Sequence, residues 1–377
     1  MQCPHAEHGS GRQVCSHLLT GLSQTQSTEQ FGHYRRFTGK NLDYVLTCPA
    51  CQEQPIAHLS WVCGECFVDI AHGSRLGSLG QPEVHQSTHQ LKLQTVDSLP
   101  PEGRLLQAVP FERGFAALTE ANEVILLDSG RRRAYHLAKW DLPLYEELTL
   151  VACEPFLAIA STFGTRGVVV DTSSGQVTMQ LERAEQPACR FPVAFCDDGR
   201  LLQGDKLFDP ASGRQLGTLK LPENFYQSGL TASQNWVAMN GFTWHPIGQV
   251  RVLGLDSSQT RVLCQRDGLI DGSLVWLGPA KLGVWGLGAL DVMLLPGLRV
   301  FDLETQQELP SVPGPEGPFA FDQHLFCHTP ETGFTAWDLE SGQVVFQDSQ
   351  FHPLAYHPEE KTFLAQSAQG LTINRLT

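Results

Sequence analysis

The 377-residue sequence has no run approaching the roughly 18 to 20 uncharged apolar residues that a membrane helix requires. Its first residues, MQCPHAEHGSGRQVC, lack both a basic start followed by an apolar stretch and a small-residue cleavage site, so a cytoplasmic location is expected. Positive charge is scarce as well. Against 40 acidic residues stand 26 basic ones, a formal charge of −14, which repels nucleic acid and anionic membrane unless the basic residues cluster. The one tight cluster, Arg131-Arg132-Arg133, reads as a solvated turn between strands, with a phosphate or acidic-peptide contact as the alternative. No G-x-S-x-G elbow, H-E-x-x-H or P-loop is present. GVWGLGALD (Gly283 to Asp291) resembles a dinucleotide fingerprint only loosely and has no helix behind it, so it reads as a glycine-rich strand corner.

The eleven cysteines do not make a disulfide framework, being odd in number and unevenly spread. Cys153, Cys189, Cys196, Cys264 and Cys327 are scattered singly through apolar contexts and read as small buried hydrophobes. The other six fall within the first 66 residues, and eight of the fourteen histidines precede Ser98. Acidity divides along the same line. Up to Asp97 there are six basic and eight acidic residues; beyond it there are 20 and 32.

What fills the longer part is a repeat. VILLDSGRR, GVVVDTSSGQV, KLFDPASGRQL, VLGLDSSQTRV, RVFDLETQQEL and TAWDLESGQVV share an apolar run, an aspartate and a turn. The aspartates are Asp128, Asp171, Asp209, Asp256, Asp302 and Asp338, spaced by 43, 38, 47, 46 and 36 residues. Each unit reads as a hairpin: the run is a strand, Asp opens the turn by accepting backbone N–H groups, and Ser-Gly or its equivalent supplies a positive φ. Such a period has room for about four short strands, the signature of a β-propeller. A further 36 residues lands on Asn374 in GLTINRLT, where the chain stops after what would be the third strand of a seventh unit. An open edge would remain. HQLKLQTV (His89 to Val96) alternates like a strand and is predicted to close the ring, giving a mainly β chain with a seven-bladed propeller over 89–377, residues 89–97 completing its last blade.

These repeats resemble the WD-repeat propellers and their quinoprotein-like relatives. Trp337-Asp338 matches the name-giving dipeptide in one blade; the Gly-His pair that opens a WD repeat is not recognisable. No tryptophan recurs after the turns, which argues against a quinone-cofactor enzyme. His324 with His328, or His352 with His357, are conceivable ligands on neighbouring blades, but histidines near strand ends read first as surface or hydrogen-bonding residues.

Residues 1–88 read as a small zinc-binding α+β module. TCPACQEQPIAHLSWVCGECF (Thr47 to Phe67) carries the pairs Cys48/Cys51 and Cys63/Cys66, preceded by Cys3-x-His5 and Cys15-x-His17. Thiolate and imidazole are zinc ligands, and a short offset lets one turn direct two of them at an ion, so four pairs suit about two tetrahedral Zn²⁺ sites. The pairing stays open, with His8, His72, His85 and His89 as possible substitutes. A redox dithiol at Cys63-Gly-Glu-Cys66, with Trp61 close by, needs a surrounding βαβ pattern that is absent. Two CxxC pairs in so short a stretch also disfavour coincidence. In order, CPH, CPAC, SWVCGECF and HQSTHQLKL resemble the ubiquitin-protease-type zinc finger. The cysteine that family places soon after the Trp-x-Cys-x-x-Cys core is missing, His72 stands in its neighbourhood, and the CSHLL pair is extra. The resemblance implies recognition of a protein's flexible C-terminal tail.

The expectation is therefore a non-enzymatic scaffold binding a protein or peptide partner, with no nucleic acid or membrane partner. A zinc- or redox-responsive sensor and an enzyme with a site in the axial pocket are the alternatives.

Overall fold

A computed structural model describes residues 12–15, 34–37, 44–47, 59–62 and 91–377, the last range without 100–102, 129–130, 141, 143–146, 185–188, 222–224, 245–246, 256–259, 268–273, 288–294, 331 and 368–369. The chain divides into two units, Met1–Gln81 with Leu287–Leu295, and Pro82–Gly286 with Pro296–Thr377.

In the first unit four short strands form one sheet in the order Tyr34–Phe37, Tyr44–Thr47, Arg12–Cys15, Leu59–Val62. Arg12–Cys15 runs parallel to Tyr44–Thr47, with Val14 beside Leu46, and antiparallel to Leu59–Val62, with Cys15 opposite Leu59. Any helix in this unit would fall outside the described residues.

The second unit is a seven-bladed β-propeller spanning residues 93–376. Each blade is a four-stranded antiparallel sheet, in chain order in the first six; the strands of blade one are Leu105–Phe111, Gly114–Thr119, Glu123–Asp128 and Arg131–His136. The later blades begin with Leu148–Cys153, Val193–Phe195, Tyr226–Ala232, Leu274–Gly278, Phe319–Phe321 and Pro353–His357. Seven apolar clusters fill the seven spaces between neighbouring blades. The third strands explain why the sequence runs are continuously apolar. In blade two Val168 and Val170 face the space shared with blade one, and Val169 faces blade three. Both faces of a blade are core, so alternation gives way to an unbroken run.

Of the repeated aspartates, Asp128, Asp171, Asp209, Asp302 and Asp338 lie at the turn between third and fourth strands, as their chemistry requires; Asp256 lies outside the described residues. Asp171 Oδ1 accepts the Ser173 N–H at 2.8 Å, and the Gly175 N–H donates to the Asp171 carbonyl at 2.7 Å. Asp302 accepts the N–H groups of Glu304 and Thr305, and Asp338 those of Glu340 and Ser341. Four residues after the aspartate the backbone turns left-handed: Gly175, Gly213 and Gly342 have φ +67°, and Gln306 has φ +62°. A one-residue bulge follows in blades two, three and six.

The seventh blade takes its first three strands from the end of the chain, Pro353–His357, Thr362–Ser367 and Gly370–Leu376, and its fourth from Leu93–Leu99. The closing strand thus begins four residues later than His89. Asp97 and Ser98 belong to it although polar, because an outermost strand needs the hydrogen-bond ladder more than an apolar face; Ser98 pairs with Thr372 and Asp97 with Ile373. The arginine triplet is likewise not in a turn. Arg131, Arg132 and Arg133 begin the fourth strand of blade one, where Arg133 pairs with Glu112 at 3.1 Å and Arg132 approaches Glu123 at 4.0 Å.

Candidate functional site

The first strands of neighbouring blades contact one another, blade seven to one, one to two, two to three, three to four, and five to six, so they ring the axis. Polar side chains brace the ring. Gln107 of blade one bonds both backbone groups of Leu150 in blade two, accepting its N–H at 2.9 Å and donating to its carbonyl at 3.2 Å. Because successive strands are antiparallel, the first-to-second and third-to-fourth turns open on one face, and the second-to-third turns and inter-blade links on the other.

A cavity of about 280 Å³ lies where the first strands of blades six and seven begin. Pro318, Phe319, Pro353 and Leu354 line it, with Ala108 and Pro110 of the neighbouring blade one. Behind it packs a set of rings. Phe363 stands edge-on to Phe326 and Phe334, each at 5.0 Å, and against Tyr356 at 4.7 Å. Three titratable groups reach the lining, Cys327, His328 and Tyr356. Burial pushes the Cys327 thiol up to about 12. Burial and the nearby Asp322, to whose Oδ2 the hydroxyl donates at 3.2 Å, push Tyr356 upward. Burial and then His352 push His328 below its usual value. All three are uncharged at neutral pH.

His328 and His352 meet across the boundary of blades six and seven, Nε2 to Nδ1 at 2.7 Å, with rings 77° apart. Of the two sequence pairings, the structure therefore joins one member of each. His357 acts elsewhere, tying blade seven to blade one. Its Nε2 donates to the Glu112 carbonyl at 2.8 Å while Nδ1 accepts the Glu360 N–H at 3.3 Å. His324 lies near the Phe326 ring at 6.5 Å.

A second cavity, of about 310 Å³, opens where the first strands of blades three to six end. Asp197, Gln234, Trp276, Pro279 and Phe321 are among its walls.

Of the proposed zinc ligands, Cys15 is the last residue of its strand, and Cys48 and Cys63 are the next residues in sequence after the strands ending at Thr47 and Val62. The side chains of Cys3, His5, Cys15, His17, Cys48, Cys51, Cys63 and Cys66 lie outside the described residues, as do those of His8, His72, His85 and His89. Among the described residues no three His, Cys, Asp or Glu side chains converge on a metal position. Of the scattered cysteines, Cys189, Cys196, Cys264 and Cys327 are buried and Cys153 is half-buried. Gly283 sits in the second strand of blade five, where a Cβ would come within 2.8 Å of Val275 Cγ1 and 3.0 Å of Leu298 Cδ1. Close packing accounts for that glycine; the end of the same stretch, Gly288 to Asp291, lies outside the described residues.

The fold defines a seven-bladed β-propeller protein, consistent with a WD-repeat-like architecture. A scan against protein-family models gives no match, and a search of curated proteins gives none either.

Proposed function

We infer that this chain is a non-enzymatic interaction protein, in which the propeller holds a protein or peptide partner and the N-terminal unit is a zinc-stabilised module. One observation carries the reading of the propeller: burial holds the three titratable groups of the cavity beside blades six and seven neutral, and two of them, His328 and Tyr356, also have polar atoms occupied by hydrogen bonds to His352 and Asp322. A thiol near 12 supplies almost no thiolate at neutral pH, and a phenol already donating to Asp322 is a poor acid. Apolar walls with satisfied polar groups favour holding a side chain over transforming a substrate. For the module, the placement of Cys15, Thr47 and Val62 at strand ends supports zinc, since chain leaving a strand can turn sharply enough to present paired ligands. Zinc there would supply folding free energy that a small core lacks.

The test is a photo-crosslinking residue in place of Leu354, which is exposed at the cavity, followed by identification of the captured protein and titration of that purified protein against the intact chain and Leu354→Glu. The reading expects binding that Leu354→Glu weakens. Turnover of the captured molecule, or binding that survives on residues 1–81 alone and not on the propeller, sinks it.

A further inference from the structure

The two axial cavities differ in charge. The one beside blades six and seven is neutral; the second carries the Asp197 carboxylate, and two of its other polar walls, Ser233 and Trp276, have spent their side-chain donors. Ser233 Oγ donates to the Pro279 carbonyl at 2.8 Å, which also ties the turns of blades four and five together. Trp276 Nε1 donates to Thr231 Oγ1 at 3.2 Å. Pro279 has no N–H to offer. What faces the cavity is thus the Asp197 carboxylate and the Gln234 amide, whose oxygen can also accept, between the rings of Trp276 and Phe321.

The carboxylate is also uncompensated. Arg200 is taken by Asp198, Nε to Oδ2 at 2.6 Å, and among the described residues Asp197 has no cation partner. Burial and then Asp198 push the Asp197 carboxyl above its usual value, as expected of a negative charge that lacks an opposite one. On the same face the first-to-second turns of blades two and seven bring Glu154, Glu359 and Glu360, none of them in the described salt bridges, alongside Arg113 and Lys361 on turns of that face. Across that face Asp171 and Asp338 spend oxygens on turn N–H groups, which leaves their charge in place, while Asp209 and Asp302 do the same with Arg214 and Lys281 near enough to favour their ionised forms. A group that fits must be cationic at its tip and apolar along its stem, so that it meets the carboxylate with the first and the aromatic walls with the second.

We propose that the cavity bounded by Asp197, Trp276 and Phe321 receives a lysine or arginine side chain of a basic peptide segment of the partner, with the acidic turn face steering that segment to the axis. This rests on the reading of the propeller as a peptide-binding platform. The face would raise the association rate and make binding fall with salt; the cavity would supply selectivity for one basic residue over the rest.

The test uses the full chain and fluorescein-labelled twelve-residue peptides of alternating Gly-Lys, Gly-Arg, Gly-Glu and Gly-Leu, titrated by anisotropy. The proposal expects a basic peptide to bind, with affinity falling as salt rises from about 50 to 500 mM, and Asp197→Asn to weaken it about tenfold or more, the worth of one charge-assisted hydrogen bond. Glu359→Gln, which removes a carboxylate from the same face outside the cavity, should change binding less than about twofold. Asp197 is exposed, so Asp197→Asn should melt as the parent does, which separates lost binding from lost fold. Equal weakening by both substitutions would mean diffuse attraction to an acidic face and would overturn the cavity. Absence of basic-peptide binding also overturns it. If Gly-Leu alone bound, and Leu354→Glu abolished that, the platform reading would stand while this inference fell.

Discussion

Lys92 and Thr377 exchange both backbone hydrogen bonds, the Lys92 N–H donating to the Thr377 carbonyl at 2.8 Å and the Thr377 N–H to that of Lys92 at 2.9 Å. The pair continues a ladder in which Leu93 faces Leu376 and Leu99 faces Leu371, so the end of the chain is stitched to a segment 285 residues earlier. Within it Thr95 Oγ1 donates to Asn374 Oδ1 at 2.9 Å, and Asn374 is 4% exposed.

A chain beginning at Ser98 loses most of that ladder, while one beginning at Gly80 keeps it. Losing several net hydrogen bonds of about 0.5 to 1.5 kcal/mol each, and leaving Asn374 without its donor, should cost about 3 kcal/mol or more. Size-exclusion profiles and thermal melts of the two decide the matter. The shorter chain should aggregate through its exposed edge and melt lower; equal melts would mean that the ring does not depend on the strand.

The turn that defines the repeat makes its own forecast. Gly342 and Gln306 occupy the same left-handed position, and a Cβ at Gly342 would meet only Val312 Cγ1 at 3.8 Å, so the backbone alone resists a side chain there. Gly342→Gln should cost about 1 kcal/mol. Gln306→Gly relieves the same strain but frees the unfolded chain, and should stabilise by less than about 1 kcal/mol. Denaturant midpoints at matched slope read both; a larger loss from Gln306→Gly than from Gly342→Gln would contradict the shared turn.

The aspartates were legible because each solves the same local problem, and local problems leave residue-type signatures. Gln306 shows the limit: tertiary pairing on either side holds a left-handed residue that its own identity disfavours. The closing strand was legible in existence and displaced in extent, Leu93–Leu99 in place of 89–97, since Ser98 looks like loop until a partner strand is supplied. Neither cavity could be read beforehand. One needs Ala108 beside Leu354, and the other Asp197 beside Phe321, and such neighbours follow from the angle between blades, which no hydrophobic period records. The meeting of His328 with His352 was hidden for the same reason.

That imidazole pair sets a pH dependence. His328 is held below its unfolded value by burial and then by His352, so between the two values the unfolded chain binds more protons than the folded one. Stability from this site is present above the unfolded value near 6.5 and falls as the pH drops below it. His352→Gln removes the neighbour's charge, so the drop in melting temperature between about pH 7.5 and 5.5 should be smaller in that variant than in the parent. An unchanged drop would assign the acid sensitivity to other groups.

The N-terminal sheet sharpens the expectation for metal. Val14 lies beside Leu46 in parallel register, so the strands ending at Cys15 and Thr47 finish at the same end of the sheet. Val62 pairs with Arg12, so the strand ending there finishes at the opposite end, where the chain that carries Cys3 and His5 enters. Cys15-x-His17 and Cys48-x-x-Cys51 thus continue from one end, and Cys63-x-x-Cys66 from the other. Native mass spectrometry of carefully reduced protein should find about two zinc ions. Cys48→Ser with Cys51→Ser should remove one ion and unfold the N-terminal unit's share of the melt, because the metal's binding free energy is folding free energy there. Adding Cys15→Ser should remove nothing further, whereas adding Cys63→Ser and Cys66→Ser should remove the second ion, and the propeller's own transition should persist throughout. Protein free of zinc would dismiss the metal reading, and loss of both ions from the first pair of substitutions would dismiss the division into two ends.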